Sequence, residues 1–344
     1  MSRVNVAIVG ANGYSGEELC ALLCRHPGVR IAAVSSRSHA GRAVEQVLPR
    51  LTGIPAAAGL KFCDSKIDVL LATDAEFFFL ALPHGLASEF ALPLVQAGRR
   101  VIDLSADFRL RDASVYEEFY GEPHPAAEAL GEAVYGLPEL HREAIRGARL
   151  VASAGCYPTS ILLPLTPLLR KGLIEPESIA VSSASGVSGA GRKADVSFLY
   201  AECNESMRAY GLPKHRHLSE IEQELSAAAG VPVVITFVPH LAPMTRGIHT
   251  TTFAKLAGNA KPDSVIEELA AAYAAEPFVR VRETLPDTKH VAGTNFCDIA
   301  VRYDERARRL ILLSAEDNLV KGAAGQAVQN FNLMAGFDET TALL

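Results

Sequence analysis

The stretch Val4-Asn5-Val6-Ala7-Ile8-Val9-Gly10-Ala11-Asn12-Gly13-Tyr14-Ser15-Gly16 decides the fold. Residues 4–9 are almost wholly apolar and read as a buried strand. Glycines then follow at G-x-x-G-x-x-G spacing, and 17–23 continue as a helix stopped by His26-Pro27-Gly28. A glycine-rich turn between a strand and a helix lets the backbone approach a ligand closely, and the helix N-terminus offers unpaired amides to a pyrophosphate. As a bare pattern the spacing is weak; its place after an N-terminal strand and before a helix gives it weight. Gly10, Asn12, Gly13, Tyr14, Ser15 and Gly16 are therefore the first candidate cofactor-binding residues.

Outward from that stretch, residues 31–34, 69–71, 77–82 and 101–104 read as further strands between helical segments. Runs apolar on both faces and separated by helices predict a parallel sheet covered on both sides. The character changes after about residue 155. Strand-like segments at 179–183, 233–238, 250–256, 278–282, 298–303 and 309–314 come closer together, and 304–308 reads as a hairpin loop. Helices are expected at 219–229, 262–275 and 318–334. The fold class is thus α/β: a Rossmann-type dinucleotide-binding domain formed by 1–155 with 318–344, and an α+β domain with a mixed sheet over 156–317.

A chain of 344 residues with formal net charge -6 is mildly acidic and shows no Lys/Arg stripe, so nucleic acid is not an expected partner. No apolar run approaches the roughly 20 residues of a membrane span, and no secretory leader is visible at the start. The six cysteines contain no C-x-x-C pair and no metal is expected. A cytoplasmic location fits this usage.

The end of the second strand bears on the cofactor. Folds that bind NAD place an acidic residue there for the ribose hydroxyls. Here the sequence is Ser35-Ser36-Arg37-Ser38. With no carboxylate, and with a guanidinium that can pair with a 2′-phosphate, Ser36, Arg37 and Ser38 point to NADP(H).

The segment Gly155-Cys156-Tyr157-Pro158-Thr159 leads from a strand into an apolar helix, with Pro158 suited to a first helical turn. Cys156 is therefore expected at a helix N-terminus, where partial positive charge favours thiolate over thiol. Gly155 leaves room for a substrate carbonyl, and nearby amides can stabilise an oxyanion.

With these motifs in hand, the chain resembles the N-acetyl-gamma-glutamyl-phosphate reductases and, more distantly, the aspartate-semialdehyde dehydrogenases. The resemblance spans essentially the whole chain. It rests on GANGYSG at 10–16, FLALPHG at 79–85, DLSADFRL at 103–110, YGLPEL at 135–140, GCYPT at 155–159, SGVSGAGRK at 185–193, KHRHLSEIEQEL at 214–225, FVPHLAPMTRGI at 237–248 and DNLVKGAAGQAVQN at 317–330.

The resemblance implies that Cys156 is the nucleophile and that His215 and His217 lie in the active site. His215 is expected as the acid–base and His217 as a substrate binder. Ser219 with Glu222 forms a capping-box pattern, so a helix start at 219 is expected. Arg109 and Arg246 are candidate binders of substrate anions. Ser185, Gly186, Ser188 and Gly189 are expected beside the nicotinamide, Asn318 on its amide, and Leu82 and Pro83 beside the adenosine. The implied reaction is NADPH-dependent reductive dephosphorylation of N-acetyl-L-glutamyl 5-phosphate through a cysteine thioester, by a cytoplasmic homotetramer or homodimer of arginine biosynthesis. The alternatives are an aspartyl-phosphate reductase, a reductase of carrier-linked aminoadipyl phosphate, and a dinucleotide-sensing protein without catalysis.

Overall fold

The computed structural model describes residues 3–344. They form two compact units, one built from residues up to 117, 122–154 and 323–344, the other from 118–121 and 155–322.

The first unit holds a seven-stranded sheet of β1 (Val4–Val9), β2 (Val29–Ser35), β3 (Phe62–Cys63), β4 (Phe77–Leu80), β5 (Arg100–Asp103), β6 (Val134–Gly136) and β7 (Leu150–Ser153), in the order β3-β2-β1-β4-β5-β7-β6. Every pairing is parallel. Strand order runs outward from β1 and β4 in opposite directions, which makes the ends of these strands the topological switch point where such sheets bind ligands.

Gly10 leaves β1 at that point with φ +83°, and a β-carbon on it would run into the carbonyl oxygen of Ala81. A β-carbon on Gly16 would stand 2.5 Å from the Gly10 oxygen. Both glycines are therefore required by the turn itself. Gly13 is different: a β-carbon there would meet nothing nearer than 3.8 Å. The C-terminal helix Gly325–Ala335 packs on the same unit. Its Asn330 Nδ2 donates to the Gly136 carbonyl at 3.0 Å and the Ser153 hydroxyl at 3.2 Å, and its Phe331 ring meets Phe77 edge-on at 5.0 Å.

The second unit holds β8 (Ala180–Ser185), β9 (Arg208–Ala209), β10 (Thr236–Leu241), β11 (Ile248–Ala254), β12 (Val279–Val281), β13 (Cys297–Asp304) and β14 (Arg309–Glu316), in the order β12-β13-β14-β11-β8-β10-β9. The sheet is mixed: β8/β10 and β12/β13 are parallel and the other pairs antiparallel. The expected hairpin is present between β13 and β14. Burial alternates along β8, β10 and β11, as expected where one face is covered. Helix Cys156–Arg170 lies on β11 and β14, flanked by helices Arg216–Ala229 and Pro262–Tyr273.

That helix carries Pro164 and Pro167 in its interior, although residues 157–169 are all buried. Each proline removes the amide that would bond the carbonyl four residues back, orphaning the oxygens of Ser160 and Leu163. Neighbouring side chains replace the lost donors. Ser314 Oγ donates to the Ser160 oxygen at 2.6 Å, and the Tyr273 hydroxyl donates to the Leu163 oxygen.

Two local expectations are corrected. Residues 69–71 are not a strand but the end of a short helix, Ile67–Leu71, in which Leu70 is buried and Val69 exposed. An apolar run this short carries no period, so flanking structure decides it. The helix expected from 219 starts earlier, as Arg216–Ala229, because the His215 ring caps it in place of Ser219. No helix among the described residues is long and apolar enough to cross a membrane.

Gly10 and Gly13 should differ in how much an alanine costs. In urea melts, Gly10→Ala should cost on the order of 2 kcal/mol through backbone strain and collision. Gly13→Ala should cost less than about 1 kcal/mol.

Candidate active site

Cys156 is the first residue of its helix, with Gly155 in an extended conformation as the N-cap. The Gly155 amide donates to Glu220 Oε1 at 2.8 Å, and its carbonyl accepts from the Thr159 amide at 2.9 Å and the Thr159 hydroxyl at 3.0 Å. The turn before Cys156 is thus fixed from both sides. Cys156 remains partly exposed while the helix behind it is buried. All six cysteines are free. Burial pushes the thiols of Cys20, Cys24 and Cys63 up, away from reactivity. Cys156 alone combines partial exposure with a place in the first turn of a long helix, where the anionic sulfur is favoured.

The two histidines gather around the ring of Tyr157. His215 meets Tyr157 at 5.5 Å, His217 meets it at 6.0 Å, and the two imidazoles are 5.1 Å apart. Tyr210 and Phe237 complete the cage around His215 at 5.4 and 5.6 Å. The Nδ1 of His215 accepts the His217 amide at 3.1 Å, so it carries no proton, and the proton of the neutral ring is on Nε2. Burial lowers the His215 pKa to about 4, with Arg216 adding to the effect. The ring is therefore a neutral donor at physiological pH. The Tyr157 and Tyr210 hydroxyls lie 2.9 Å apart. Burial raises both, pushing Tyr210 up to about 12, and the Cys156 sulfur contributes to both shifts.

The glycine-rich segment after β8 is a clamped turn rather than a loose loop. The amides of Gly186, Val187 and Ser188 donate to the carbonyls of Gly247, Met244 and Thr245 at 2.9, 2.9 and 3.0 Å. A β-carbon on Gly186 would lie 2.7 Å from the Arg246 nitrogen. Gly189 packs beside the Ser185 hydroxyl, which would stand 3.2 Å from an added β-carbon. Asn318 ties the same loops together: its Oδ1 accepts from the Gly247 amide at 2.7 Å and its Nδ2 donates to Ser188 Oγ at 3.0 Å. Both ends of the amide expected to meet the nicotinamide thus already hold the surrounding loops. Arg246 is paired with buried Asp317 at 2.9 Å, so its charge is partly spent within the protein.

In the dinucleotide unit, Gly10, Ala11 and Asn12 form the turn, and Tyr14 and Ser15 open the helix Tyr14–Leu23. Ser36 and Ser38 face each other across 3.3 Å, and Arg37 reaches Glu89 at 3.2 Å in an exposed pair. The Leu82 side chain abuts Gly10, and Pro83 is exposed just beyond it. Asp107, fully buried, accepts the amides of Gly85, Ala87 and Ser88 at 2.6, 2.9 and 3.3 Å and so fixes the loop after Pro83. Arg109 is buried and donates to the Leu104 carbonyl at 2.8 Å. Burial and the adjacent Asp107 push Asp103 up to about 7, against the opposing influence of Ser105 and Arg109. The residues present fit a dinucleotide phosphate. Gly13 opens on free space at a helix start, and residues 35–38 at the end of β2 include no acidic residue, the nearby Glu89 carboxylate being paired with Arg37.

Sequence reasoning missed Tyr210, Glu220 and Asp317. Tyr210 stands in no telling pattern; Glu220, inside the HRHLSEIEQEL segment, and Asp317, at the head of the DNLVKGAAGQAVQN segment, carried a signal in their neighbours.

Residues 5–148 match the family described as "Semialdehyde dehydrogenase, NAD binding domain", and residues 156–318 match "Semialdehyde dehydrogenase, dimerisation domain". A protein of Akkermansia muciniphila named N-acetyl-gamma-glutamyl-phosphate reductase is 58% identical, covering 100% of this chain and 99% of its own. One of the same name from Geobacter metallireducens is 51% identical, covering 99% and 98%. Among solved structures, aspartate semialdehyde dehydrogenase II of Vibrio cholerae, complexed with ASA, has a TM-score of 0.73 at 18% identity, covering 98% of this chain and 99% of its own. The aspartate semialdehyde dehydrogenase of Candida albicans with NADP has a TM-score of 0.69 at 15% identity, covering 97% and 99%. These two likenesses concern the fold, whereas the sequence identities reach further: the chain belongs to the N-acetyl-gamma-glutamyl-phosphate reductase family.

Proposed function

We propose that this enzyme reduces N-acetyl-L-glutamyl 5-phosphate to N-acetyl-L-glutamate 5-semialdehyde, with NADPH as reductant and release of inorganic phosphate, as a step of arginine biosynthesis. The observation that carries this reading is Cys156 at a helix start whose preceding turn is held by the helix that bears His215 and His217.

The Cys156 thiolate attacks the γ-carbonyl carbon. A C–S bond forms, the C–O bond to phosphate breaks, and a thioester remains on the enzyme. Amides of the first helical turn lie where they can stabilise the oxyanion. The Nε2–H of His215, neutral and locked by its capping role, donates to the substrate oxygen. His217 then gives the departing phosphate oxygen its proton and regains one from solvent. This reading exchanges the roles expected from sequence, and what supports it is the His217 amide bonded to His215 Nδ1. NADPH, when bound, supplies the hydride that reduces the thioester carbon. As the C–S bond breaks, the sulfur departs as thiolate, which its helix N-terminus stabilises.

The glycine turn, with Asn12, Gly13, Tyr14 and Ser15 at its mouth, is proposed to hold the pyrophosphate, and Ser36, Arg37 and Ser38 the 2′-phosphate. Arg37 would exchange Glu89 for that phosphate. Leu82 and Pro83 would border the adenosine, and the clamped turn Ser185–Gly189 the nicotinamide. Arg109 and Arg246 would meet substrate anions. Alternate residues of β11, including exposed Phe253, face away from the packed helices and suit a subunit interface. A homodimer or homotetramer working in the cytoplasm fits this reading.

The reverse assay tests substrate and reaction together: NADP reduction by N-acetylglutamate semialdehyde should require phosphate, and aspartate semialdehyde should not substitute. Cys156→Ser should lower turnover by roughly a thousandfold or more while NADPH still binds. Phosphate-independent turnover, or an active serine variant, would refute the thioester route. Arg37→Asp should weaken NADPH at least about tenfold more than NADH, measured by fluorescence titration, since it puts a carboxylate where the 2′-phosphate sits.

The depressed pKa of His215 also predicts a pH dependence of stability. Between its unfolded value near 6.5 and its folded value of about 4, the unfolded chain binds more protons. The contribution is therefore fully present above pH ~6.5 and lost as pH falls toward 4, on the order of 2–3 kcal/mol. His215→Asn keeps a capping acceptor but has no titrating ring, so its melts should be flatter across that window. Parallel profiles for both proteins would contradict the assignment.

A further inference from the structure

The chain between β14 and the C-terminal helix makes one wide helical turn, Val320–Ala324, closed by a bond from the Gly322 amide to the Asp317 carbonyl at 3.0 Å. This link spans five residues rather than four, the π-type geometry that recurs at functional sites. From the sequence these residues are expected within a helix over 318–334 and in the DNLVKGAAGQAVQN segment, and the proposed mechanism makes no use of them.

Gly322 stands against the nucleophile. A β-carbon built on it would lie 2.7 Å from Cys156 Cβ, 3.1 Å from Cys156 Cα and 2.8 Å from Glu316 Oε1. Cys156 Cα belongs to backbone at the start of a buried helix, and Glu316 is fully buried, so neither can move aside cheaply. The φ of Gly322 is not positive, so the backbone conformation does not demand glycine there. The demand comes from space.

The start of the turn is fixed independently. Asp317, fully buried, accepts the amides of Leu319 and Val320 at 2.9 and 3.2 Å and that of Gly293 at 2.6 Å, besides pairing with Arg246. Asn318 is bonded to Gly247 and Ser188. A turn anchored so firmly cannot retreat to admit a side chain at 322.

From this geometry we propose that Gly322 is a positioning residue for the nucleophile: its bare Cα backs directly on Cys156 and fixes the sulfur-bearing carbon against the helix start. The inference rests on the reading of Cys156 as nucleophile. Gly322 touches neither substrate nor cofactor in this role and acts only through Cys156.

The test is Gly322→Ala in the full-length enzyme. It should lower kcat at least about tenfold and change the rate of iodoacetamide alkylation of Cys156, followed by peptide mass spectrometry, at least about fivefold. NADPH affinity should stay within about twofold, which separates misplacement of the nucleophile from general damage. Values of kcat and alkylation rate within about twofold of the unsubstituted enzyme would overturn the proposal. Should Gly322→Ala fold poorly, a double-mutant cycle reads the contact without activity. Cys156→Gly deletes the opposing β-carbon, so the drop in Tm caused by Gly322→Ala should be at least about 2 °C smaller in that background. An equal drop in both backgrounds would refute the contact. Failure of the nucleophile reading shows separately, as turnover surviving in Cys156→Ser.

Discussion

A helix buried along its length must find a partner for every backbone group, and the helix Cys156–Arg170 meets that constraint with help from each element around it. Its two internal prolines orphan carbonyls that Ser314 of β14 and the Tyr273 hydroxyl recapture. Its cap, Gly155, is held by Glu220 of the helix Arg216–Ala229. Ser160 Oγ and Ser183 Oγ lie 2.8 and 2.6 Å from the shared Thr250 hydroxyl, linking the helix to β8 and β11. The mixed sheet and both flanking helices are thereby fixed to one rod, and Cys156 is the partly exposed residue at its tip.

The same constraint explains the histidines. Burying the start of helix Arg216–Ala229 under Tyr210 and Phe237 leaves its first amides in need of an acceptor, and the His215 ring supplies one. That service fixes the tautomer while burial holds the ring neutral, so a structural need at a helix end also shapes what His215 can do chemically. Asp107 does comparable work in the dinucleotide unit, where one buried carboxylate orders the loop after Pro83 by accepting three amides.

Much of this was legible from residue patterns. The GANGYSG turn, the parallel strands built from two-faced apolar runs and the helix start at Cys156 follow from periodicity and from the chemistry of glycine and proline, which act over a few residues. Residues 69–71 were misread because three apolar residues carry no period, and the strands at 62–63, 134–136 and 208–209 are too short to show one. The capping-box pattern at Ser219 and Glu222 named the right helix and the wrong start. A cap is chosen by whichever acceptor the tertiary packing brings to the first amides, and the sequence offers several.

The sequence by itself therefore determined the dinucleotide fold, the family and a cysteine at a helix N-terminus, because each depends on local spacing or on whole motifs. Tertiary structure alone decided that Tyr157 and Phe237 bury the His215 ring, which side chains recapture the carbonyls freed by Pro164 and Pro167, and that Arg246 and Asn318 are already bonded to Asp317, Gly247 and Ser188. It also decided that Gly322, more than a hundred and sixty positions along the chain, stands against Cys156. These are contacts between residues far apart in the chain, set by packing and burial, and no local pattern encodes them.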